Sequence, residues 1–238
     1  MTLRRAVVVV PAHDEALNLP GCLESVLAAA GCVPVPVCVV VVLDSCTDGS
    51  ALVKDSFGDP VHFVEVNLHN VGAARAAGFA YAKALLHAHE SDHEVWYANT
   101  DADSRVDPDW LARQFRSGAE AVVGVVRVVH WRNTPRAAIR RYLAAYRAKY
   151  RSDGHGHHHV HGANMGFRAD VYWRAGGFAS LANDEDVDLI RRFDAAGVRV
   201  NRDRRISVAT SARTVGRAPR GFAAHLRSVA NGIGRESA

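Results

Sequence analysis

The sequence predicts an α/β fold built on an open, mostly parallel sheet flanked by helices. Three observations predict it: continuous β-branched runs bounded by turn residues, helical patterns between those runs, and polar clusters directly after them. Strands buried on both faces read as unbroken apolar stretches rather than as alternation. Strand and helix alternating along a chain imply right-handed crossovers and parallel pairing.

Each element can be justified in order. Residues 6–10 form a first strand. After Asn18 and Pro20, Leu23, Val26 and Leu27 recur at helical spacing, and Gly31 closes that helix. Residues 37–43 form a second strand, 48–57 a short helix and 61–66 a third strand. Residues 71–89 form a long Ala-rich helix with Phe79, Leu85 and Leu86 available for packing, and 94–98 form a fourth strand. Asp107-Pro108 caps a helix over 109–117, with Pro in a first-turn position. Residues 121–129 are a fifth strand. The pattern then becomes irregular: a basic helix over 136–151, a loop rich in Gly and His, a short strand over 163–168 and a short helix over 170–175. An amphipathic helix over 184–196, closed by Gly197, precedes a basic tail from Arg213 with a last helix.

The chain has 238 residues, 48% hydrophobic and 23% charged, enough for one domain with a real core. Net charge is only +4, with basic residues denser after Arg113. A solvated Arg-rich surface is the leading reading of that density, ahead of phosphate or a membrane surface, and nucleic acid is not expected as a partner. Cys22, Cys32, Cys38 and Cys46 form no C-x-x-C pair and read as free thiols in a cytoplasmic protein. The apolar run over 6–10 is too short for a signal peptide, and no stretch reaches the roughly 20 apolar residues of a membrane helix. A soluble protein is expected, with peripheral membrane contact at most.

Polar clusters follow three of the strands: Pro11-Ala12-His13-Asp14-Glu15, Asp44-Ser45-Cys46-Thr47-Asp48-Gly49, and Asp101-Ala102-Asp103. In a parallel sheet all three lie at the carboxyl edge, where ligands bind. Singly, each has an ordinary explanation as a helix cap or first-turn acid. In extended backbone Asp101 and Asp103 would point the same way, and two such carboxylates repel unless a hard cation joins them. Mg2+ and Mn2+ suit oxygen ligands and often take one or two carboxylates plus substrate phosphates.

The front half resembles the family-2 glycosyltransferases of GT-A fold, with a Rossmann-like sheet. The resemblance rests, in order, on VVVVPAHDE, VVVLDSCTDGS, NVGAARAAG, NTDADS, HGANMGFR, GGF and NDEDVDLIRRFDAAGVRV, over roughly residues 5–201. It implies a nucleotide-sugar-binding half over about 1–118, a short acceptor-side half over about 119–238, and transfer of a sugar to an acceptor hydroxyl. It also implies roles. Pro11, Ala12 and Glu15 line the nucleoside, Asp44 accepts from the base, and Arg75 lies near the diphosphate. Asp101 and Asp103 hold Mn2+ or Mg2+, Asp103 most directly. Glu185 and Asp186 are the acidic pair near the acceptor, with Asp186 the base of an inverting reaction. A UDP-sugar is expected ahead of a GDP-sugar. Two departures stand out: His13-Asp14 replaces the usual Asn before Glu15, and the short back half argues against a processive synthase.

His155, His157, His158, His159 and His161 crowd one loop. The leading reading is a solvated, mobile loop in which serine could replace His157, His158 and His159 without loss of stability. Beside it stand a transition-metal site and contact of His161 with the acceptor or diphosphate, where imidazole would accept Mn2+. Two other functions compete: a nonenzymatic nucleotide- or metal-binding protein, and a sugar-phosphate nucleotidyltransferase. The latter is demoted because PAHDE lacks a Gly-rich, basic triphosphate cradle.

Overall fold

In the computed structural model, which describes residues 2–86, 90–131, 134–152, 154–181 and 183–211, one eight-stranded sheet separates two cores. The elements are β1 (Arg5–Ala12), α1 (Leu19–Ala30), β2 (Val37–Asp44), β3 (Val61–Val66), α2 (Val71–Leu86), β4 (Val95–Asn99), β5 (Ser104–Val106), α3 (Trp110–Arg116), β6 (Ala121–His130), α4 (Arg136–Arg147), β7 (Met165–Arg168), α5 (Ala169–Arg174), α6 (Glu185–Ala195) and β8 (Val200–Ser211). The sheet order is β3-β2-β1-β4-β7-β6-β8-β5.

The valine run of β1 shows why this sheet forms. Alternate residues leave a strand on opposite faces. Ala6, Val8 and Val10 join Leu19, Leu23 and Val26 of α1, with Trp96 and Trp110, in one core. Val7 and Val9 join Ala74, Phe79 and Ala82 of α2, with Tyr97, Phe167 and Tyr172, in the other. Burying a valine side chain favours folding by roughly 1.5–3 kcal/mol, so a strand apolar on both faces has no stable place at a solvated edge. The small residues of α2 let it lie close: a Cβ on Gly78 would sit 2.6 Å from a methyl of Val9.

The parallel expectation holds for β3-β2-β1-β4, and β6 and β8 also run parallel. β7 is antiparallel to both β4 and β6, and β5 is antiparallel to β8. Strands β5 and β8 are absent from the sequence expectation. β5 has three residues, and β8 carries Arg202, Asp203, Arg204 and Arg205 in succession, with no apolar period to detect. The expected helix over 48–57 is instead a 3₁₀ segment, Ser50–Ser56, entered through Gly49 at φ 86°. The basic helix stops at Arg147 rather than 151. The proposed last helix lies outside the described residues. No helix among the described residues is long and apolar enough to cross a membrane.

Candidate active site

The carboxyl ends of β1, β2 and β4 carry three loops, and the first two are stitched together by their own acids. Asp14, at φ 52°, accepts the Thr47 N–H at 2.6 Å. Asp48 accepts the Ala16 N–H at 2.9 Å and the Ser50 N–H at 3.0 Å. Ser50 Oγ in turn accepts the Glu15 N–H at 2.8 Å. Pro11 and Ala12 end β1 in register with Val42 and Leu43, and Glu15 is nearly buried, accepting from Asn18 at 2.8 Å. His13-Asp14, the departure from the family pattern, is therefore built into the loop crossing, with His13 Nδ1 lying 2.6 Å from the Asp44 carbonyl oxygen.

Asp44 is buried at the end of β2 and gathers the turn that leads into α2. Its carboxylate accepts N–H bonds from Leu68 (2.7 Å), His69 (2.9 Å) and Asn70 (2.9 Å), and the Ser45 hydroxyl at 3.0 Å. Burial pushes this carboxyl up, but the three backbone bonds and the hydroxyl outweigh it and hold it below the usual carboxylate range. Asn70 caps α2 by accepting the Ala73 N–H at 2.9 Å, and its amide donates to the Leu181 carbonyl at 2.9 Å.

One turn into α2 lies Arg75, only 3% exposed. Its guanidinium donates to Asp101 at 2.7 Å and to Glu185, and stands 5.6 Å from the centre of the Phe178 ring. Gly162 lies against it, since a Cβ there would fall 2.5 Å from a guanidinium nitrogen. Burial alone would lower the Arg75 pKa; Asp101, Glu185 and Asp186 outweigh it and raise it. Burial raises Glu185, Arg75 opposes that, and Asp186 and Asp101 add to it. Asp186 has a different posture. Half-buried in the first turn of α6, it accepts the Gly162 N–H at 2.6 Å and the Val187 N–H at 2.8 Å. Arg75, Asp101, Glu185 and Asp186 therefore converge.

Asp101 and Asp103 do not lie on extended backbone. They sit in a turn closed by the Ser104 N–H on the Asp101 carbonyl at 2.9 Å, so the same-side argument from strand geometry does not apply. Asp103 stands 3.5 Å from the hydroxyls of both Ser104 and Thr210. Among the described residues, no three His, Cys, Asp or Glu side chains come together as a ready metal cage. The donor chemistry still suits a hard divalent cation with substrate oxygens completing its shell. Asp101 gives one oxygen to Arg75, and three carboxylates surround a single guanidinium, leaving excess negative charge.

The histidine loop corrects an expectation. His157 is fully buried and His159 5% exposed, whereas His155 and His158 are exposed. His157 Nε2 lies 3.1 Å from the Val123 carbonyl oxygen and His159 Nε2 2.9 Å from that of Tyr146. The His159 ring stacks on Tyr146 with centroids 3.7 Å apart. His161 Nε2 meets the Tyr146 hydroxyl at 3.0 Å, and that hydroxyl accepts the Val126 N–H at 3.0 Å. The loop is thus packed against β6 and α4, because flat rings with polar rims satisfy carbonyls while excluding water. Sequence reasoning also missed Asn164. Buried, it donates to the carbonyls of Val125 (2.9 Å) and Ile206 (3.0 Å) and accepts from Trp110 at 2.9 Å, tying β6, β8 and α3 to the site. The signal was an amide inside an otherwise apolar strand entry, ANMGF.

Residues 7–176 match the sequence model described as glycosyl transferase family 2. The fold is similar to a mannosyltransferase from Pyrobaculum calidifontis solved with GDP-Man and Mn2+, at 21% identity and a TM-score of 0.64, covering 91% of this chain and 59% of that one. It is also similar to Staphylococcus aureus TarS residues 1–349 in complex with UDP-GlcNAc, at 13% identity and a TM-score of 0.61, covering 96% of this chain and 71% of that one. The chain thus spans less than two thirds of the mannosyltransferase's length. No curated protein matches it in sequence.

Proposed function

The chain belongs to glycosyltransferase family 2, and from that premise we propose metal-dependent, inverting transfer of a sugar from a nucleotide-sugar to an acceptor hydroxyl. Family membership sets aside the nucleotidyltransferase and nonenzymatic readings. The observation that carries the proposal is the division of labour among the acids around Arg75. Glu185 is buried and spent on the guanidinium, whereas Asp186 is half-buried and held by backbone N–H groups. Asp186, oriented by backbone N–H groups rather than bound to the guanidinium, is the group that takes a proton from an acceptor hydroxyl as the new bond to the sugar forms and the bond to the diphosphate breaks. Glu185 positions Arg75 and is not the base.

Asp101 and Asp103 would hold the cation. Mn2+ or Mg2+ bound there supplies Lewis-acid stabilisation of the departing diphosphate. His161, whose Nε2 meets the Tyr146 hydroxyl, would offer its Nδ1 to Mn2+ in this set. Arg75 adds positive potential beneath Asp101. Pro11, Ala12 and Glu15 line the nucleoside, and Asp44 stands at the base end. Because Asp44 carries the 68–70 turn, its effect on base binding includes the shape of that turn. The two solved relatives hold different nucleotides, GDP-Man and UDP-GlcNAc; a UDP-sugar is proposed first here. The free thiols suit a cytoplasmic setting. Incubating the protein with a panel of nucleotide-sugars and Mn2+ tests the reading. Donor hydrolysis that disappears in Asp103→Ala supports it, and hydrolysis of none, or equal hydrolysis by the variant, refutes it.

A further inference from the structure

Between Glu120 and Asp153 the sequence has no acidic residue, yet it has eight Lys or Arg. Helix α4 lies in this stretch and is two-sided. Ala138, Tyr142 and Tyr146 are buried, and Tyr146 reaches His161, the neighbour of Gly162. The opposite side is exposed. Arg136 and Arg140 are one turn apart, Arg147 follows on the same side, and Lys149 lies just beyond the helix. None of these four meets a carboxylate among the described residues. Elsewhere the molecule usually pairs its arginines: Arg5 with Glu90, Arg113 with Asp109, Arg168 with Glu120 and Asp170, Arg192 with Asp188. The unpaired cations are concentrated where acids are missing.

We infer that the outer face of α4 docks on an anionic phospholipid surface. The face is a flat strip about 18 Å long at 1.5 Å per residue, with cations separated by the exposed alanines Ala137, Ala144, Ala145 and Ala148. That composition fits headgroup phosphates and a shallow apolar contact. Alanines rather than Asn, Gln, Ser or Thr stand between the arginines of RAAIRRYLAAYR, which favours a lipid surface over a nucleic-acid groove, and duplex binding is an outcome of the test. Docking does not depend on the transfer reading. If that reading holds, docking also brings a lipid-borne hydroxyl acceptor beside Asp186, because the buried face of the same helix leads there.

The test is co-sedimentation of the full chain, without nucleotide or metal, with vesicles of phosphatidylcholine alone or mixed with phosphatidylglycerol. Partition to the phosphatidylglycerol vesicles alone is expected, falling as salt is raised. Each cation contributes roughly five-fold in partition, so R136Q/R140Q/R147Q/K149Q should lose several hundred-fold by that roughly additive estimate while keeping its melting temperature. R140Q/R147Q should lose on the order of 25-fold. The charge-matched control R116Q/R191Q, on exposed arginines of α3 and α6, should stay near wild type. No partition of the wild type, undiminished partition of the fourfold variant, equal losses by the two double variants, or tighter binding to a DNA duplex than to vesicles would each overturn the assignment. Because no nucleotide is present, failure here leaves donor binding untouched and separately measurable.

Discussion

On the side of the site built by β1, β2 and β4, carboxylates are held by backbone N–H groups. On the side built by β6, α4 and the 155–161 loop, imidazoles lie against backbone carbonyls and stack on phenols. Asp14, Asp44 and Asp48 each fix a loop within reach of their own strand ends. His157 instead reaches the Val123 carbonyl, and His159 and His161 reach Tyr146, over chain separations of 13 to 34 residues against 24 to 33 for the acids. The first side marks its structure with acids that directly follow apolar runs; the second builds it from ring packing that residue type alone does not mark. Asp186 and Gly162 stand where the two meet.

The largest effect expected from breaking this arrangement is at that meeting point. Asp186→Asn keeps the shape and removes basicity, so turnover should fall roughly 10²–10⁴-fold once an acceptor is found. Steady-state rates would check it, and unchanged turnover would move the proton to another group such as Asp188.

On the first side, Asp44→Ala strands three backbone N–H groups. With about 1–3 kcal/mol for each unsatisfied buried group, a loss above about 3 kcal/mol is expected in denaturant unfolding. The sign with pH follows from the lowered pKa: the Asp44 contribution is present above the usual carboxylate range and is lost as pH falls through its folded value. The stability difference between wild type and Asp44→Ala should therefore shrink in acid.

On the second side the effects are smaller but selective. His157→Ser should cost about 1–3 kcal/mol, and His158→Ser should stay within about 0.5 kcal/mol. A uniform response of both variants would erase the contrast between buried and exposed histidines. Burial lowers the His157 pKa, first by desolvation, so its folded value lies below the ordinary 6.5. Its contribution is present above that ordinary value and is lost as pH falls through the folded value. Wild type should therefore weaken on mild acidification more than His157→Gln, measured by thermal unfolding across that range.

The same contrast decides what was legible in the sequence. Strands β1, β2 and β4 are continuous apolar runs ending in acids, so their positions and their shared edge could be read directly. Asp101 and Asp103 were legible as a pair but not as a turn, because the Ser104 N–H bond that folds them leaves no trace in residue type. Strand β8 was hidden by four consecutive charged residues, of which Arg205 pairs with Asp203 at 2.7 Å and Arg202 with Asp194 at 3.0 Å. The burial of His157 and His159 was illegible because imidazole is at home both in water and among rings. Tyr146, read only as one apolar side of a helix, proved to organise that cluster.

Titration calorimetry with UDP and GDP in the presence of Mn2+, run on wild type, Asp103→Ala and Asp186→Asn, tests most directly whether cation-holding and proton-accepting acids are separate. The predicted result is donor-nucleotide binding that is lost or strongly weakened in Asp103→Ala, partly recovered by excess Mn2+, and close to wild type in Asp186→Asn. Equal loss of nucleotide binding in both variants would contradict it and place Asp186 at the donor.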